Sequence, residues 1–407
     1  MDPADVTSES PEVPRFLKPL PPAWVMAAAL VAVAANLRTA ITSVPPLLDA
    51  IAGDLGLSHA AAGALTTLPV LCMGLFAPLA STIAHHLGAV AAVLAAMGCA
   101  LVGLLSRWFG DDALTLYVGT FVAGVGIAVA GTLLPRLVKT FFPPHRAGLV
   151  TGLYMFAMMG GAALASALSA PLAERLGSWQ GSLASWSVIA LVGLLAWAPF
   201  TVRANPHHTP GEEGPGRLPW RHPTAWLVAG YLGLQSWGFY SAVTWLPPTY
   251  VELGWDRATA GYLGAAFSGS QVVSGLVGPL LSDRVDDLRR LLFPAAALAV
   301  AGCLAIWVAP ETAPWTWVIV LGLGQGAAFS VALVLLVRYA RTPEASGRLT
   351  GMAFLISYGV ASVGPLAMGL VRDVTGGLAP VWVLLAGITL TQAAVVIRMR
   401  PDLRRVT

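Results

Sequence analysis

The sequence predicts an all-α integral membrane protein with twelve transmembrane helices, arranged as two pseudo-symmetric halves of six helices. The first observation is the composition: 57% of the 407 residues are hydrophobic and only 11% are charged, whereas soluble domains have roughly 45–50% apolar and about 25% charged residues. The other two observations are a series of long apolar runs and an internal repeat. This composition, with a net charge of only +3, excludes a soluble enzyme, a disordered chain and a nucleic-acid-binding domain.

Twelve apolar runs along the chain are long enough to cross a bilayer. A hydrocarbon core about 30 Å thick requires about 20 mostly apolar residues per helix. The runs must be helical, because lipid supplies no partners for backbone hydrogen bonds and the alternating pattern of barrel strands is absent from the sequence. The predicted spans are 23–48, 59–84, 88–106, 113–137, 147–170, 181–202, 223–249, 258–281, 291–309, 315–338, 348–371 and 379–399.

The distribution of lysine and arginine predicts the orientation of these spans. Twelve spans place both termini on one side of the membrane, and the termini and loops of that side carry 18 of the 23 Lys and Arg residues. The loops of the other side carry Arg107, Arg175, Arg257 and Arg372. Since loops rich in Lys and Arg stay in the cytoplasm, we expect a multi-pass protein of the plasma (inner) membrane with both termini cytoplasmic.

The longest polar stretch, residues 203–221, divides the chain into two halves. It is rich in Pro, Gly and charged residues, which is typical of a linker. The predicted organisation is a cytoplasmic N-terminal tail at 1–22, six-helix bundles at 23–202 and 222–399 on either side of a cytoplasmic linker, and a second cytoplasmic tail at 400–407.

The two halves repeat each other's motifs. Pro45-Pro46, late in the first span, matches Pro247-Pro248 in the seventh. The matching glycines are Gly63 and Gly261, Gly148 and Gly347, Gly152 and Gly351, and Gly160 and Gly359. A parallel repeat of six helices plus six is the architecture of the major facilitators, in which the substrate site lies between the halves.

The loop after the eighth span carries a charged motif, Gly278-Pro-Leu-Leu-Ser-Asp-Arg-Val-Asp-Asp-Leu-Arg-Arg. This run resembles the loop signature of the major facilitators. Charge pairs at a helix end can lock the cytoplasmic face and must break when that face opens. The alternative is that the arginines are ordinary cytoplasmic charges. The candidate gating residues are Asp283, Arg284, Arg289 and Arg290.

Arg38 is predicted to be the only ionised residue within a span. A charge near the bilayer centre costs about 2.5–3.5 kcal/mol on insertion scales and normally faces a cavity. The sequence places no Asp, Glu or His inside another predicted span, because these residues lie in loops or near helix ends. The predicted partner of Arg38 is therefore a substrate anion, which a guanidinium can bind with two donors, or a backbone carbonyl freed near the Pro45-Pro46 kink.

Other polar and aromatic residues fall in spans that should line a central cavity. Apolar pockets with a few convergent polar groups are typical ligand sites. The alternative for each residue is an interhelical hydrogen bond or aromatic packing. Together with Arg38, the predicted substrate-binding residues are Asn36, Thr42, Tyr154, Gln235, Trp237, Tyr240, Gln271, Gln325 and Tyr358.

The polar residues of the sequence also limit which partners and which energy source we expect. Proton-driven transporters usually use an intramembrane Asp, Glu or His relay, so the alternatives are uncoupled transport, exchange, or a proton carried with the substrate or through a less obvious group. We expect no cofactor, no metal and no enzymatic activity, because no nucleophile–base set or metal-ligand cluster is recognisable. The predicted partners are a small-molecule substrate and the lipid bilayer, with no nucleic acid, and the predicted functional unit is a monomer.

Two segments of the first half resemble one branch of the major facilitators. They are Asn36-Leu37-Arg38-Thr39-Ala40, followed by Pro45-Pro46 and Leu55-Gly56-Leu57-Ser58, and Gly131-Thr-Leu-Leu-Pro-Arg-Leu-Val-Lys-Thr-Phe-Phe-Pro143. Both are similar to segments of the cyanate permease/nitroimidazole transporter (CynX/NimT) family. The resemblance implies a plasma-membrane permease for small anions such as cyanate, or for small neutral nitroheterocycles. His85 and His86 depart from that family's usual loop, in which arginines are common.

Three functions are hypotheses at this point. The first is an alternating-access secondary transporter of a small monoanion such as cyanate, with Arg38 as the anion-binding residue. The second is an exporter of drugs or nitroheterocyclic xenobiotics, in which Arg38 is structural. The third is a membrane sensor or scaffold, which the intact repeat and the glycine-rich fifth and eleventh spans disfavour, because these features indicate alternating access.

The predicted orientation can be tested with single cysteines in a background lacking Cys72, Cys99 and Cys303. We expect a cysteine within 203–221 to resist an impermeant thiol reagent in intact cells, since the charge distribution places this segment in the cytoplasm. A cysteine at Asp111, between the third and fourth predicted spans, should react. Labelling of both positions from outside would contradict the twelve-span arrangement.

Overall fold

The computed structural model describes residues 22–201 and 218–407. The predicted N-terminal tail up to residue 21 and residues 202–217 of the predicted linker lie outside the described residues. The domain boundaries inferred from that linker therefore stay predictions, whereas the helices on either side of it are observed.

Fifteen α-helices and two 3₁₀ turns, Pro45–Leu47 and Arg107–Phe109, make up most of the described chain, with one isolated β-bridge between Ala340 and Val406. The first span comprises α1 to α3, the sixth comprises α8 and α9, and each other span is a single helix. The described chain therefore crosses the membrane twelve times, as predicted. The helices are α1 (Ala23–Ala35), α2 (Thr39–Thr42), α3 (Leu48–Leu55), α4 (His59–Leu87), α5 (Ala89–Ser106), α6 (Ala113–Phe141), α7 (Pro144–Leu176), α8 (Trp179–Ser185), α9 (Ser187–Thr201), α10 (Pro223–Glu252), α11 (Arg257–Ser282), α12 (Arg289–Val308), α13 (Pro314–Arg338), α14 (Pro343–Thr375) and α15 (Ala379–Arg398).

Ten of the twelve spans in the described chain are long and apolar enough to cross a bilayer by length and composition alone. The other two are α10 and α11, with 30 and 26 residues. Polar side chains interrupt their apolar runs, and many of these are buried, such as Gln235 and Ser241 on α10 and Gln271 on α11. Helices can carry such residues on faces that pack against other helices or an interior cavity, so the low hydropathy of α10 and α11 reflects buried polar faces.

Short loops on one side of the membrane begin the following helices with side-chain caps. Ser58 caps α4 by accepting a hydrogen bond from the amide of Ala61, and Asp256 caps α11 in the same way from Thr259. Such caps satisfy amides that a helix N-terminus leaves unpaired. We call this side the far face, and the opposite side, where Pro22 and Thr407 lie, the terminal face. The far-face loops are 56–58, 110–112, 177–178, 253–256, 309–313 and 376–378.

The two halves pack against each other through a symmetric pair of glycines. Gly63 of α4 lies against the carbonyl oxygen of Pro365 on α14, so close that an added Cβ would be 2.7 Å from that oxygen. Gly261 of α11 lies equally tightly against the carbonyl oxygen of Ser166 on α7, and the Ser166 hydroxyl donates to the Gly261 carbonyl at 3.0 Å. Close-packed backbone leaves no room for a side chain here. This pair of repeated glycines therefore marks where the halves meet.

The described contacts between the halves are concentrated from mid-membrane to the far face. Besides both glycine contacts, the Thr66 and Thr244 hydroxyl oxygens lie 2.8 Å apart. The hydrogen bonds and ion pairs that join the halves among the described residues lie at mid-membrane or the far face, and none lies toward the terminal face. The described conformation is therefore closed at the far face and open toward the terminal face.

Gly63→Ala and Gly261→Ala should each shift the protein away from this conformation. The added methyl group has no space beside the facing carbonyl, so the far-face ends of the halves must separate. We expect pulsed EPR to measure a longer distance between spin labels at positions 111 and 312, which lie in far-face loops of the two halves.

Gly152→Ala is the matched control for these variants. A Cβ at Gly152 would meet nothing within 4 Å, and the substitution gives the same gain in helix propensity, so the distance should not change. Unchanged distances in both interface variants would show that the contact tolerates a methyl group and does not set the conformation.

Candidate functional site

A turn at residues 36–38 interrupts the first span at mid-membrane. The amides of Asn36 and Leu37 donate to carbonyls only three residues back, at 3.1 Å in both cases. Thr39 Oγ1 donates to the main-chain oxygen of Asn36 at 3.0 Å and to its Oδ1 at 3.2 Å. Local side-chain hydrogen bonds of this type compete with the helical pattern, and irregular backbone at membrane depth occurs where protein or a cavity surrounds it. The sequence predicted a kink at Pro45-Pro46 but not this break.

Arg38 lies at the N-terminus of α2, with its side chain between the two halves. Its carbonyl oxygen accepts hydrogen bonds from the amide of Thr42 and from Thr42 Oγ1, both at 3.0 Å. The guanidinium carbon lies 5.0 Å from the ring centroid of Phe239 and 5.4 Å from that of Tyr240, both on α10 of the other half. Cation–π contacts contribute about 0.5–2 kcal/mol. Arg38 is 8% exposed, and no acidic side chain in the described part of the chain forms an ion pair with it.

Aromatic side chains form a wall beside this guanidinium. The rings of Phe239 and Tyr240 meet edge to face, with centroids 4.9 Å apart. Tyr358 of α14 lies 6.4 Å from Tyr240 and 5.6 Å from Phe354. The Tyr240 hydroxyl donates to Met73 Sδ in the first half at 3.7 Å. The wall thus combines two of the three predicted tyrosines, Tyr240 and Tyr358, with three residues that the sequence analysis did not single out, Phe239, Phe354 and Met73. The spacing of Phe354 one helical turn before Tyr358 was an available signal.

The predicted glutamines lie in two different places. Gln235 Nε2 donates to Gln325 Oε1 at 3.2 Å and to the Gln325 carbonyl at 3.3 Å, so this pair links α10 to α13. Gln271 Nε2 instead donates to the Phe267 carbonyl of its own helix at 3.2 Å. All three glutamines are buried. Each one has at least one hydrogen bond to another group of the protein, as the interhelical or packing alternative expects.

The other predicted site residues are buried in separate surroundings. The Thr42 hydroxyl donates to the backbone of the first span, and Asn36 Oδ1 accepts from the Thr39 hydroxyl. Tyr154 lies in the apolar core of the first half. Trp237 packs against Gly364 of α14, where an added Cβ would be 2.7 Å from its Cδ1. Within the described residues, the Asn36 amide nitrogen and the Trp237 indole nitrogen have no hydrogen-bond partner.

Comparison with known proteins identifies the family. The family model described as Major Facilitator Superfamily matches residues 26–365. The chain belongs to the major facilitator superfamily. It is 34% identical over 361 residues to the 2-nitroimidazole transporter of Escherichia coli (strain K12), and this alignment covers 86% of this chain and 89% of that protein. It is 33% identical over 356 residues to the cyanate transport protein CynX of the same organism, and this alignment covers 87% of this chain and 91% of that protein. The predicted resemblance to the CynX/NimT family is confirmed.

Solved structures of other major facilitators have the same fold. A bacterial homologue of the human lysosomal transporter Spinster, inward-facing and unoccupied, matches with a TM-score of 0.74 at 14% identity, over 92% of this chain and 96% of that one. The xylose transporter XylE from E. coli in its inward open conformation matches with a TM-score of 0.72 at 13% identity, again over 92% and 96%. At such identities the likeness shows the fold alone, and it confirms the predicted arrangement of six helices plus six.

The predicted gating residues lie on the terminal face of this fold, in and beside the loop between α11 and α12. Arg289 Nη2 lies 2.7 Å from Asp287 Oδ2, and hydrogen bonds from Arg289 lower the pKa of Asp287. Asp283, Arg284 and Arg290 form no ion pair with a described residue. A lock at Asp283 would belong to a conformation closed at the terminal face, and the described conformation is open there. The gating role of this loop therefore stays a prediction.

A set of charged residues at the far face joins the halves, and the sequence analysis did not predict it. We call Asp49, His59, Glu252, Arg372 and Asp373 the far-face clasp. Arg372 Nη1 lies 2.6 Å from Asp49 Oδ1, and its Nη2 lies 3.4 Å from Glu252 Oε2. Asp373 accepts a hydrogen bond from the His59 amide at 2.9 Å and pairs with His59 Nδ1 at 2.7 Å. A carboxylate at the N-terminus of α4 also interacts favourably with the helix dipole.

Arg107 corrects one expectation from the sequence. The sequence places it in a loop and makes Arg38 the only charge within a span. Instead, Arg107 is 0% exposed in the 3₁₀ turn that ends the third span, and its Nη2 donates to the carbonyl oxygen of Ala40 at 3.2 Å. A long arginine side chain can extend several ångströms from its Cα, so a position at a helix end does not show where the charge lies.

Arg372→Gln and Asp283→Asn should shift the conformational equilibrium in opposite directions. Arg372→Gln removes a charge that holds the far face closed, and losing a charge-assisted hydrogen bond costs about 1.5–3 kcal/mol, a factor of roughly 10 to 150. Asp283→Asn weakens the predicted terminal-face lock and should favour the terminal-face-open state. The measurement is the fraction of long distances between the spin labels at positions 111 and 312, which should rise in the first variant and fall in the second.

Arg175→Gln and Asp286→Asn are the matched controls. Both residues are exposed, lie on the same faces as the residues they control for, and form no ion pair with the described chain. An Arg372→Gln variant that behaves like its control would show that the far-face clasp does not hold the halves together. The same result for Asp283→Asn would make Asp283 an ordinary loop acid.

Proposed function

We propose that this protein is an alternating-access secondary transporter that moves a small monoanion, such as cyanate, across the plasma membrane, with Arg38 as its anion-binding residue. The single observation that carries the proposal is the position of Arg38. Its guanidinium lies at mid-membrane where the halves meet, beside aromatic rings of the second half, and no described acid neutralises it. Secondary transporters bind their substrates near the membrane midplane between the repeats, typically beside a broken helix.

The charges near the site favour a monovalent anion. Of the other arginines buried in the described spans, Arg372 pairs with two acids and Arg107 donates to the backbone of Ala40. One guanidinium, that of Arg38, is therefore left for the substrate. It can donate two parallel hydrogen bonds to a small anion, and neutralising a buried charge offsets much of the cost of holding it in the membrane.

The names of related proteins agree with this chemistry. Two relatives at 33–34% identity are named for the transport of cyanate and of 2-nitroimidazole. The nitrite extrusion protein of Bacillus subtilis (strain 168) is 23% identical over 359 residues, which covers 87% of this chain and 88% of that protein. Cyanate and nitrite are small monoanions, and a nitro group presents two partly negative oxygens in one plane. A single guanidinium can donate hydrogen bonds to each of these groups.

The basic loops support an orientation with both termini in the cytoplasm. In that orientation the terminal face is the cytoplasmic face, and the described conformation is open to the cytoplasm. The far-face clasp then separates the Arg38 site from the outside. Alternating access requires the clasp to open when the terminal face closes.

An exporter of nitroheterocyclic xenobiotics is the second candidate, because of the aromatic wall. Tyr240, Tyr358 and Phe354 form a continuous row of rings, against which a flat heterocycle could pack. Aromatic pairs of this kind contribute about 0.5–1.5 kcal/mol each. In this candidate Arg38 is structural, since its contacts with Phe239 and Tyr240 join the two halves without a substrate charge.

Arg38→Gln should lower the affinity for cyanate roughly 10- to 150-fold and so abolish uptake at low concentration, because a charge-assisted hydrogen bond worth about 1.5–3 kcal/mol is lost. Arg38→Lys should keep part of the activity, since the charge remains but the two-donor geometry is lost. Asn36→Ala should have a milder effect. The measurements are uptake into liposomes and ligand-induced thermal shift of the purified protein, with cyanate, nitrite and 2-nitroimidazole.

Arg175→Gln is the matched control, because it removes an exposed arginine and should leave both measurements unchanged. If Arg38→Gln moves cyanate with the KM and rate of the wild type, the anion-site proposal is wrong. If the wild type and Arg38→Gln both transport 2-nitroimidazole and neither transports an anion, the exporter takes its place.

A further inference from the structure

Arg107 is a fully buried charge that the proposed transport cycle does not use. Its Nη2 donates to the Ala40 carbonyl at 3.2 Å and to Thr120 Oγ1 at 3.3 Å. Its Nε and Nη1 have no partner, and no acid pairs with it, among the described residues. Burying a charge without an opposite charge is energetically costly. Filling the same space with an apolar side chain would cost less, so the guanidinium is expected to do more than pack.

The acceptor of this guanidinium lies in the most irregular part of the first span. The helix α2, Thr39–Thr42, lies between the turn at 36–38 and the 3₁₀ turn Pro45–Leu47. Because α2 ends at Thr42, the Val44 amide does not donate to the Ala40 carbonyl as it would in a continuing helix, and Pro45 and Pro46 have no N–H groups to offer to the next two carbonyls. Backbone groups at membrane depth need partners from within the protein. Arg107 supplies such a donor from another span.

The orientation of α2 also determines the direction of Arg38. Arg38 is the N-cap of α2, and its carbonyl is bound by Thr42 of the same helix. Ala40, two residues after Arg38, is the point at which the third span holds α2. Since the direction of a Cα–Cβ bond follows the helix that carries it, tilting α2 would move the Arg38 guanidinium away from the rings of α10.

We propose that Arg107 is a positioning residue for anion binding: by holding the Ala40 carbonyl, it fixes α2 and thereby the direction of the Arg38 guanidinium. The inference rests on the proposed function, because it takes Arg38 as the anion-binding residue. Arg107 does not touch the substrate. Its loss should therefore change the affinity for the anion more than the rate of the conformational change.

The test compares Arg107→Met, Arg107→Gln and Arg107→Lys in liposomes, with radiolabelled cyanate as the probe. Methionine fills a similar volume but donates nothing, whereas glutamine and lysine keep a donor. We expect Arg107→Met to raise KM about tenfold, within the roughly 2- to 150-fold range of coupled neighbours, with the maximal rate within about twofold of wild type. Arg107→Lys should recover part of the loss. Thr120→Val, which leaves the Ala40 contact in place, is the matched control and should not change KM.

A double-mutant cycle separates positioning from a general structural role. In an Arg38→Lys background, Arg107→Met should raise KM by less than about twofold, because the two-donor geometry that Arg107 positions is already absent. Equal effects in both backgrounds would overturn the proposal, as would an unchanged KM in the single variant. If the methionine variant does not fold, the same cycle with Arg107→Leu, which also donates nothing, decides the question.

The Arg38→Gln variant tests the proposed function separately. If its affinity for cyanate equals that of the wild type, the proposed function is wrong, whatever the Arg107 variants do. Loss of affinity in Arg38→Gln with an unchanged KM in every Arg107 variant would instead leave the proposed function intact and overturn only the positioning role.

Discussion

Inside a bilayer, every backbone hydrogen-bonding group needs a partner within the protein, and the first span shows how this constraint is met where a helix is broken. Around the break at residues 36–38, side chains donate to carbonyl oxygens of the span. The Thr39 hydroxyl donates to the carbonyl of Asn36, the Thr42 hydroxyl joins its own amide on the carbonyl of Arg38, and Arg107 donates to the carbonyl of Ala40. The hydroxyls of Thr39 and Thr42 are therefore committed to the span's own backbone, whereas Asn36 Nδ2 and Ser43 Oγ have no partner among the described residues.

The charge of Arg38 is held in a different way. Arg38 lies at the break. The rings of Phe239 and Tyr240 contact its guanidinium, where another protein would place a carboxylate. A ring face stabilises a cation through its quadrupole without cancelling the charge. An acid in the same place would form an ion pair that a substrate anion would have to displace. The aromatic wall thus supports a buried charge without pairing it.

The contacts between the two halves are symmetric where backbones meet and asymmetric where charged side chains pair. The two interface glycines meet a carbonyl of the facing helix in the same way. At the far face, His59 pairs with Asp373 across the halves. The residues at the matching positions of the repeat, Arg257 and Glu174, form no such described pair and instead line a cavity of about 590 Å³. The equilibrium between conformations can therefore be set by charges on one side of the interface, while the backbone packing stays symmetric.

The sequence by itself determined the membrane class, the twelve spans, the repeat and the unusual position of Arg38, because hydropathy and charge over about 20 residues report the environment of a segment. Only the tertiary structure decided the break at residues 36–38, the burial of Arg107 and the far-face clasp. The clasp contacts of His59 and Arg372 join residues 314 and 323 positions apart. Local patterns do not encode the direction of a side chain or its distant partner. Those are set only when the two halves pack together, at points where glycine lets two backbones meet.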